Sequence, residues 1–300
     1  MPSVQHRFIA SVIPRIRKSS EVDDDDALRR EKLTEQAKAV TTPPPKVVSD
    51  CEVTEVNGLG FPVYDIRPRA SDPRRSDPRR SVLYLHGGGY VSHADRVHWR
   101  YVVRLSQRLD ARVVFPVYPL APVHTWRDSH PSMLRLFERI AIESPAGVTV
   151  MGDSAGGGYA LSLAQQLARR CGPQPTNVVL ISPWLDVTNS SIGTDEANRR
   201  DPWLKLSRLR IAGSWWAGDD DVRLPEVSPL YGDLAGLPPT LMFCGTRDTL
   251  YPQCRELADR ARGTEWDLTY VEQPDLLHEY PILPIPEATR ALTTTLDFLG

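Results

Sequence analysis

Cysteine is scarce in this sequence, and the four that occur (Cys51, Cys171, Cys244, Cys254) show no CxxC spacing. Neither a zinc site nor a disulfide framework is expected from them; they read as ordinary buried thiols. No apolar run approaches the ~18 residues that span a bilayer. The N-terminal stretch MPSVQHRFIASVIPRIRKSS is broken by Pro14 and Arg15 before it reaches signal-peptide length, which points to a cytoplasmic protein. An excess of positive charge is also missing, with 36 Lys and Arg against 38 Asp and Glu. Nucleic acid, which requires a basic face, is therefore not expected as a general partner. Apolar residues, by contrast, make up 41% of the 300 positions, enough for one large core. The 27 prolines then imply many fixed turns, not disorder.

Val4, Phe8, Val12 and Ile16 recur every four residues, with Ile9 and Ile13 beside them, as in an amphipathic helix over residues 4–18. Arg7, Arg15, Arg17 and Lys18 make it basic. Such a helix lies on an anionic membrane or packs on its own protein. Pro14 would spoil a long interfacial helix and favours packing. DDDD at 23–26 puts acid at the start of a second helix, where the macrodipole is positive. TTPPPK at 41–46 stops that helix and acts as a stiff connector. Residues 1–46 are thus expected to form a helical segment joined to a body over 47–300.

The body begins with two strand patterns, CEVTEV and FPVYDIR. SDPRR then repeats at 71–75 and 76–80, and six arginines fall within residues 67–80. That loop could bind anions; because Asp72 and Asp77 dilute the charge, a solvated hairpin extension is favoured. From residue 81 short apolar runs alternate with helical patterns: SVLYLH, ARVVFPVY, GVTVM, NVVLIS, PTLMFCG and LTYVEQ are the strands. Helices are expected over 96–110, 128–143, 155–170 and 251–262 and at the C-terminus. In 155–170, Leu161, Ala164, Leu167 and Ala168 fall on one side. This rhythm implies an α/β fold with a mostly parallel sheet covered on both faces. Residues 185–235 interrupt it and carry Trp203, Trp215 and Trp216, which suggests an insertion at the strands' C-terminal edge, where such sheets bind ligands.

One serine is set in unusual backbone freedom. Gly152-Asp153-Ser154-Ala155-Gly156 fits G-x-S-x-G between a strand and a helix. A tight strand-to-helix turn exposes such a serine, and the following helix directs its N-terminal amides toward developing negative charge. The hydroxyl needs a base. Chain order in this arrangement is serine, acid, histidine. Of seven histidines only His278, in PDLLHEY, follows Ser154. Many carboxylates lie between them. Asp248, in the loop after PTLMFCG and 30 residues before His278, is the best placed; Asp186 belongs to an earlier strand and Asp275 is too close to His278. HGGGY at 86–90 follows the strand SVLYL, and its glycines free backbone N–H groups for an oxyanion, with the amide of Ala155 completing the set. His86 is expected to anchor this loop, together with Gly87. Asp153 acquires no role.

HGGGY, GDSAGG, GTRDTL and LLHEY, with YPLAP at 118–122 and SPWLD at 182–186, resemble the hormone-sensitive-lipase-like (bacterial family IV) carboxylesterases of the α/β-hydrolase superfamily, including actinobacterial Lip-type esterases. The resemblance covers roughly residues 81–300. It implies an α/β-hydrolase fold in which N-terminal helices and an insertion, here 1–46 and about 185–225, form a cap. It places Gly88 and Gly89 beside Ala155 as oxyanion donors. Tyr90, Trp184, Trp203 and Trp215 are the aromatic residues expected around the acyl pocket. Short- to medium-chain acyl esters, no cofactor or metal, and a homodimer follow by the same resemblance. The chain departs from the family's pattern at Val123, where an acidic residue is usual, and at Gly158, often asparagine. Two other functions share these motifs: an amidase or lactonase on the same residues, and a ligand receptor that has lost catalysis. The second is disfavoured because serine, acid and histidine are all present.

Overall fold

The apolar runs assemble into one sheet at the centre of the molecule. The computed structural model describes residues 1–17, 20–22, 24–69 and 80–300. In chain order the helices and strands are α1 (Val4–Ile16), α2 (Asp25–Lys38), β1 (Cys51–Val56), β2 (Val63–Pro68), β3 (Ser81–Leu85), α3 (Arg96–Leu109), β4 (Arg112–Pro116), α4 (Trp126–Glu143), β5 (Val148–Asp153), α5 (Ser154–Ala168), β6 (Asn177–Ile181), α6 (Thr194–Arg200), α7 (Leu206–Ala217), β7 (Thr240–Arg247), α8 (Tyr251–Ala261), β8 (Leu268–Leu277) and α9 (Pro286–Leu299). The sheet order is β1-β2-β4-β3-β5-β6-β7-β8. β1, β2 and β4 pair antiparallel; from β4 through β8 every pairing is parallel.

Side chains alternate across the pleat, so each strand feeds two cores. Leu83 and Leu85 of β3 point into a core shared with Phe137 of α4, Leu163 of α5 and Leu257 of α8. Val82 and Tyr84 point into a second core with Leu105 of α3 and Leu292 of α9. Every residue of β3 is buried, at about 1.5–3 kcal/mol for a large apolar side chain. This two-faced burial is why the strands read as unbroken apolar runs. α5 lies deeper than a one-sided apolar stripe implies: Ser154 through Leu167 are all buried.

α1 packs by a different face from the one its periodicity suggests. His6, Ala10 and Ile13 are buried, whereas Val4, Phe8 and Ile16 are exposed at 68%, 66% and 69%. Polar anchors decide this. Ser3 donates to Glu287 of α9 through its amide and its hydroxyl, and His6 Nε2 accepts the Leu277 amide at 3.0 Å. Pro14 is inside α1 and does not end it. Of the cysteines, Cys51, Cys244 and Cys254 are buried but Cys171 is exposed. Most of the arginine-rich segment, residues 70–79, lies outside the described residues. No helix among the described residues is long and apolar enough to cross a membrane.

Candidate active site

β5 ends at Asp153 and α5 begins at Ser154, whose φ of 51° is the strained turn between them. The elbow presses against β3: a Cβ on Gly156 would stand 2.0 Å from the Leu85 carbonyl oxygen and 2.5 Å from that of His86. Gly156→Ala is therefore expected to destabilise the protein by about 1–3 kcal/mol through forced backbone displacement, seen as a lower melting temperature. Gly158 has a similar cause, since a Cβ there would lie 2.0 Å from the Trp184 carbonyl oxygen. Its departure from asparagine is thus a matter of packing. Val123, the other departure, is 61% exposed.

Three loops at the C-terminal ends of β5, β7 and β8 bring Ser154, Asp248 and His278 together. His278 Nε2 lies 2.9 Å from Ser154 Oγ, and His278 Nδ1 lies 2.8 Å from Asp248 Oδ2. All three residues are buried. Asp248 Oδ1 accepts the Leu250 amide at 2.8 Å, which fixes the carboxylate plane. Burial alone lowers the His278 pKa, but the Asp248 and Glu279 carboxylates outweigh it and hold the imidazole well above the ordinary histidine value.

The glycine loop approaches from β3. Gly88 and Gly89 have φ of 119° and 62°, and among the described residues their amides donate to no protein acceptor. Ala155 sits in the first turn of α5, where amides have no partner within the helix. His86 stacks on Tyr118 at 4.5 Å, and its Nδ1 lies 2.7 Å from the Gly87 carbonyl oxygen. Burial pushes its pKa down to about 3, so it is neutral and holds the loop by packing.

A cavity of about 290 Å³ opens beside Ser154, His278, Gly88 and Gly89. Of the four aromatic residues expected around it, Trp203 lines it, set edge-on to His278 at 5.3 Å. The other three do not, which corrects the expectation. Tyr90 and Trp184 are fully buried behind the wall, where Tyr90 stacks on Trp216 at 4.2 Å and on Trp184 at 5.6 Å. Trp215 packs against the core. These rings hold the φ of 62° at Tyr90, just after the glycines. The N-terminal helices reach the same cavity through Ile16, Arg17 and Lys32. Arg17 lies over the Trp203 ring at 5.0 Å and bonds Asp95 at 2.7 Å. From α2, Gln36 Nε2 donates to the Val91 and Ala121 carbonyls at 2.9 and 2.7 Å.

Three carboxyl groups escape sequence reasoning. Asp153 accepts from Tyr84 Oη at 2.7 Å, from the Gly87 amide at 2.9 Å and from His98 Nε2 at 3.2 Å. It thereby ties the serine turn to the glycine loop. Asp201 accepts the amides of Trp203 and Thr249 at 2.7 and 2.8 Å, joining the tryptophan of the insertion to the Asp248 loop. Burial and the neighbouring Asp248 push its pKa up to about 6. Glu279 lines the cavity next to His278. Each is one of 38 acidic residues, and no local motif distinguishes them. The single signal is adjacency, since Asp153 and Glu279 flank Ser154 and His278.

A family model described as alpha/beta hydrolase fold matches residues 82–282. The chain is 30% identical over 225 residues to an acetyl-hydrolase of Streptomyces hygroscopicus, covering 73% of this chain and 75% of that protein. It is also 30% identical over 225 residues to the esterase LipU of Mycobacterium tuberculosis, covering 71% and 74% respectively. Among solved structures it superposes on an esterase from the bacterial hormone-sensitive lipase family with a TM-score of 0.81 and 26% identity, over 100% of this chain and 98% of that one.

Proposed function

The chain belongs to the alpha/beta hydrolase fold family, within its hormone-sensitive-lipase-like esterases, and is a carboxylic ester hydrolase; on that premise we propose that it cleaves short- to medium-chain acyl esters through an acyl-enzyme on Ser154. The observation that carries this reading is the continuous relay from Ser154 Oγ through His278 to Asp248, at 2.9 and 2.8 Å, opening on a cavity beside two glycine amides that meet no protein acceptor among the described residues.

In the first step Ser154 Oγ attacks the ester carbonyl while His278 Nε2 takes its proton. Asp248 holds Nδ1–H and stabilises the imidazolium that forms. The carbonyl oxygen gains the electron pair and is met by the amides of Gly88, Gly89 and Ala155. One such donor is worth roughly 10²–10³ in kcat. Collapse expels the alcohol, which receives the proton from Nε2. Water then enters, gives its proton to Nε2 and releases the acid.

The cavity is small and is walled from two directions, by Ile16 and Arg17 of the N-terminal segment and by Trp203, Leu209 and Ala212 of the insertion. This supports a cap formed by residues 1–46 and about 185–225, and acyl groups of modest length. A fluorophosphonate probe, which phosphonylates activated serines, is expected to label the protein once, on the peptide carrying Ser154. A matched series of p-nitrophenyl esters and anilides is expected to favour the short and medium esters. Labelling elsewhere, or best turnover of long-chain esters with a jump at their solubility limit, overturns the reading. Preference for the anilides would move it to an amidase.

A further inference from the structure

Glu279 follows His278 and has φ of 54°, the left-handed region, which a residue with a Cβ adopts only when its surroundings hold it there. Its amide donates to Ser182 Oγ at 3.1 Å, pinning the turn to the end of β6. The side chain points inward, 6% exposed, onto the cavity it shares with Ser154 and His278. Glu279 Oε1 lies 3.5 Å from His278 Nε2, the nitrogen that faces Ser154 Oγ. That separation is long for a good direct hydrogen bond. Both residues line the cavity, where one polar group can reach the two side chains at once.

The carboxyl is also braced from behind. One polar atom each of Glu279, Asp153 and His98 lie within 4.8 Å of one another. A Cβ built on Gly87 would fall 2.7 Å from Glu279 Oε1 and 2.2 Å from Asp153 Oδ2, so both groups press on the base of the glycine loop. Burial and the Asp153 charge push Glu279 upward, and it keeps its proton more readily than an exposed glutamate. In acylation Glu279 acts on His278 only through its charge, and no proton or bond passes through it.

Deacylation has a requirement that acylation lacks: a free water must be held at Nε2 with its oxygen aimed at the acyl carbon. We propose that Glu279 is a second catalytic carboxyl, which holds this water by accepting its non-transferred O–H at Oε1. The water oxygen forms the new bond to the acyl carbon as its other proton passes to His278 Nε2. The carbonyl electron pair moves onto the oxyanion. When it returns, the acyl carbon–Ser154 Oγ bond breaks, Nε2 returns the proton to Oγ, and the carboxylic acid leaves. Either protonation state of Glu279 leaves Oε1 able to accept. The inference rests on the Ser154 acyl-enzyme reading.

Glu279→Leu removes the acceptor at similar bulk. With a p-nitrophenyl ester, kcat is expected to fall by roughly tenfold, the loss of one hydrogen bond. KM should fall in step, so that kcat/KM on its pH plateau, which reports acylation, falls far less than kcat. A burst of p-nitrophenolate should appear, with acyl-Ser154 trapped by acid quench and seen by intact mass. Glu279→Gln, whose amide oxygen still accepts, should restore most of kcat. If the leucine variant does not fold, Glu279→Asp, which withdraws the oxygen from Nε2, should give the same split. Equal losses in kcat and kcat/KM without trapped acyl-enzyme, or an unchanged kcat, overturn the proposal. Ser154→Ala run alongside separates the two failures: if that variant stays active the acyl-enzyme reading itself is wrong, and if it is inactive while Glu279→Leu shows no burst, only the role of Glu279 is lost.

Discussion

Ser154→Ala is expected to lower kcat/KM for p-nitrophenyl butyrate by roughly 10⁴–10⁶, leaving only what binding and the oxyanion donors supply. The loss is large because nothing nearby replaces the hydroxyl. Ser154 Oγ is the group on His278 Nε2 at 2.9 Å, and among the described residues the other serine on the cavity wall is Ser92, with no cysteine there. The variant should fold normally. Its backbone contact, Trp184 N–H donating to the Ser154 carbonyl at 2.8 Å, does not involve the side chain. Alanine tolerates the positive φ no worse than serine does. A melting temperature within a few degrees of wild type, beside lost hydrolysis and lost fluorophosphonate labelling, is the outcome sought. Undiminished hydrolysis would exclude Ser154 as the nucleophile.

Asp248→Asn should cost about 10⁴ in kcat, by a tautomer argument. In the native protein the carboxylate accepts from His278 Nδ1–H, which leaves Nε2 free to take the serine proton. Asparagine keeps an oxygen for the Leu250 amide, and then turns an N–H₂ donor toward Nδ1. The imidazole responds by carrying its proton on Nε2, where it blocks the base. Loss of the charge also shifts the titration. Asp248 stabilises the imidazolium, so its removal lowers the His278 pKa. The acid limb of kcat/KM, which reports the free enzyme's base, should therefore move to lower pH while the plateau falls. A pH profile from acid to alkaline, wild type beside variant, tests both. A fall in plateau with no movement of the limb would mean that Asp248 orients His278 without setting its charge.

Much of the architecture was legible because its causes are local. Each strand from β3 to β7 is an apolar run buried on both faces, and α3 and α9 declare themselves by their period. Ser154 stood out because G-x-S-x-G lay between a strand and a helix, and His278 because no other histidine follows it. Where local pattern misled, a tertiary contact had overridden it. The Val4–Phe8–Val12–Ile16 stripe of α1 is its most regular apolar feature, yet the helix turns His6, Ala10 and Ile13 inward. The hydrogen bonds from Ser3 and to His6 reach partners 284 and 271 residues away. Tyr90, Trp184 and Trp215 have the composition of a pocket wall, but ring stacking and core packing place them elsewhere.

The sequence by itself determined the order of strands and helices outside residues 185–235, the glycine-framed serine turn, the glycine loop and the one histidine able to follow them, since each depends on backbone sterics or on short-range period. Only the tertiary structure decided which carboxyl groups join the site and what they touch. Asp153 meets the Gly87 amide 66 residues away and His98 at a distance of 55. Glu279 reaches the glycine loop only because its left-handed backbone turns the side chain inward. A carboxylate carries no local mark of its partner. Its charge state and its hydrogen bonds are set by groups that folding brings within a few ångströms.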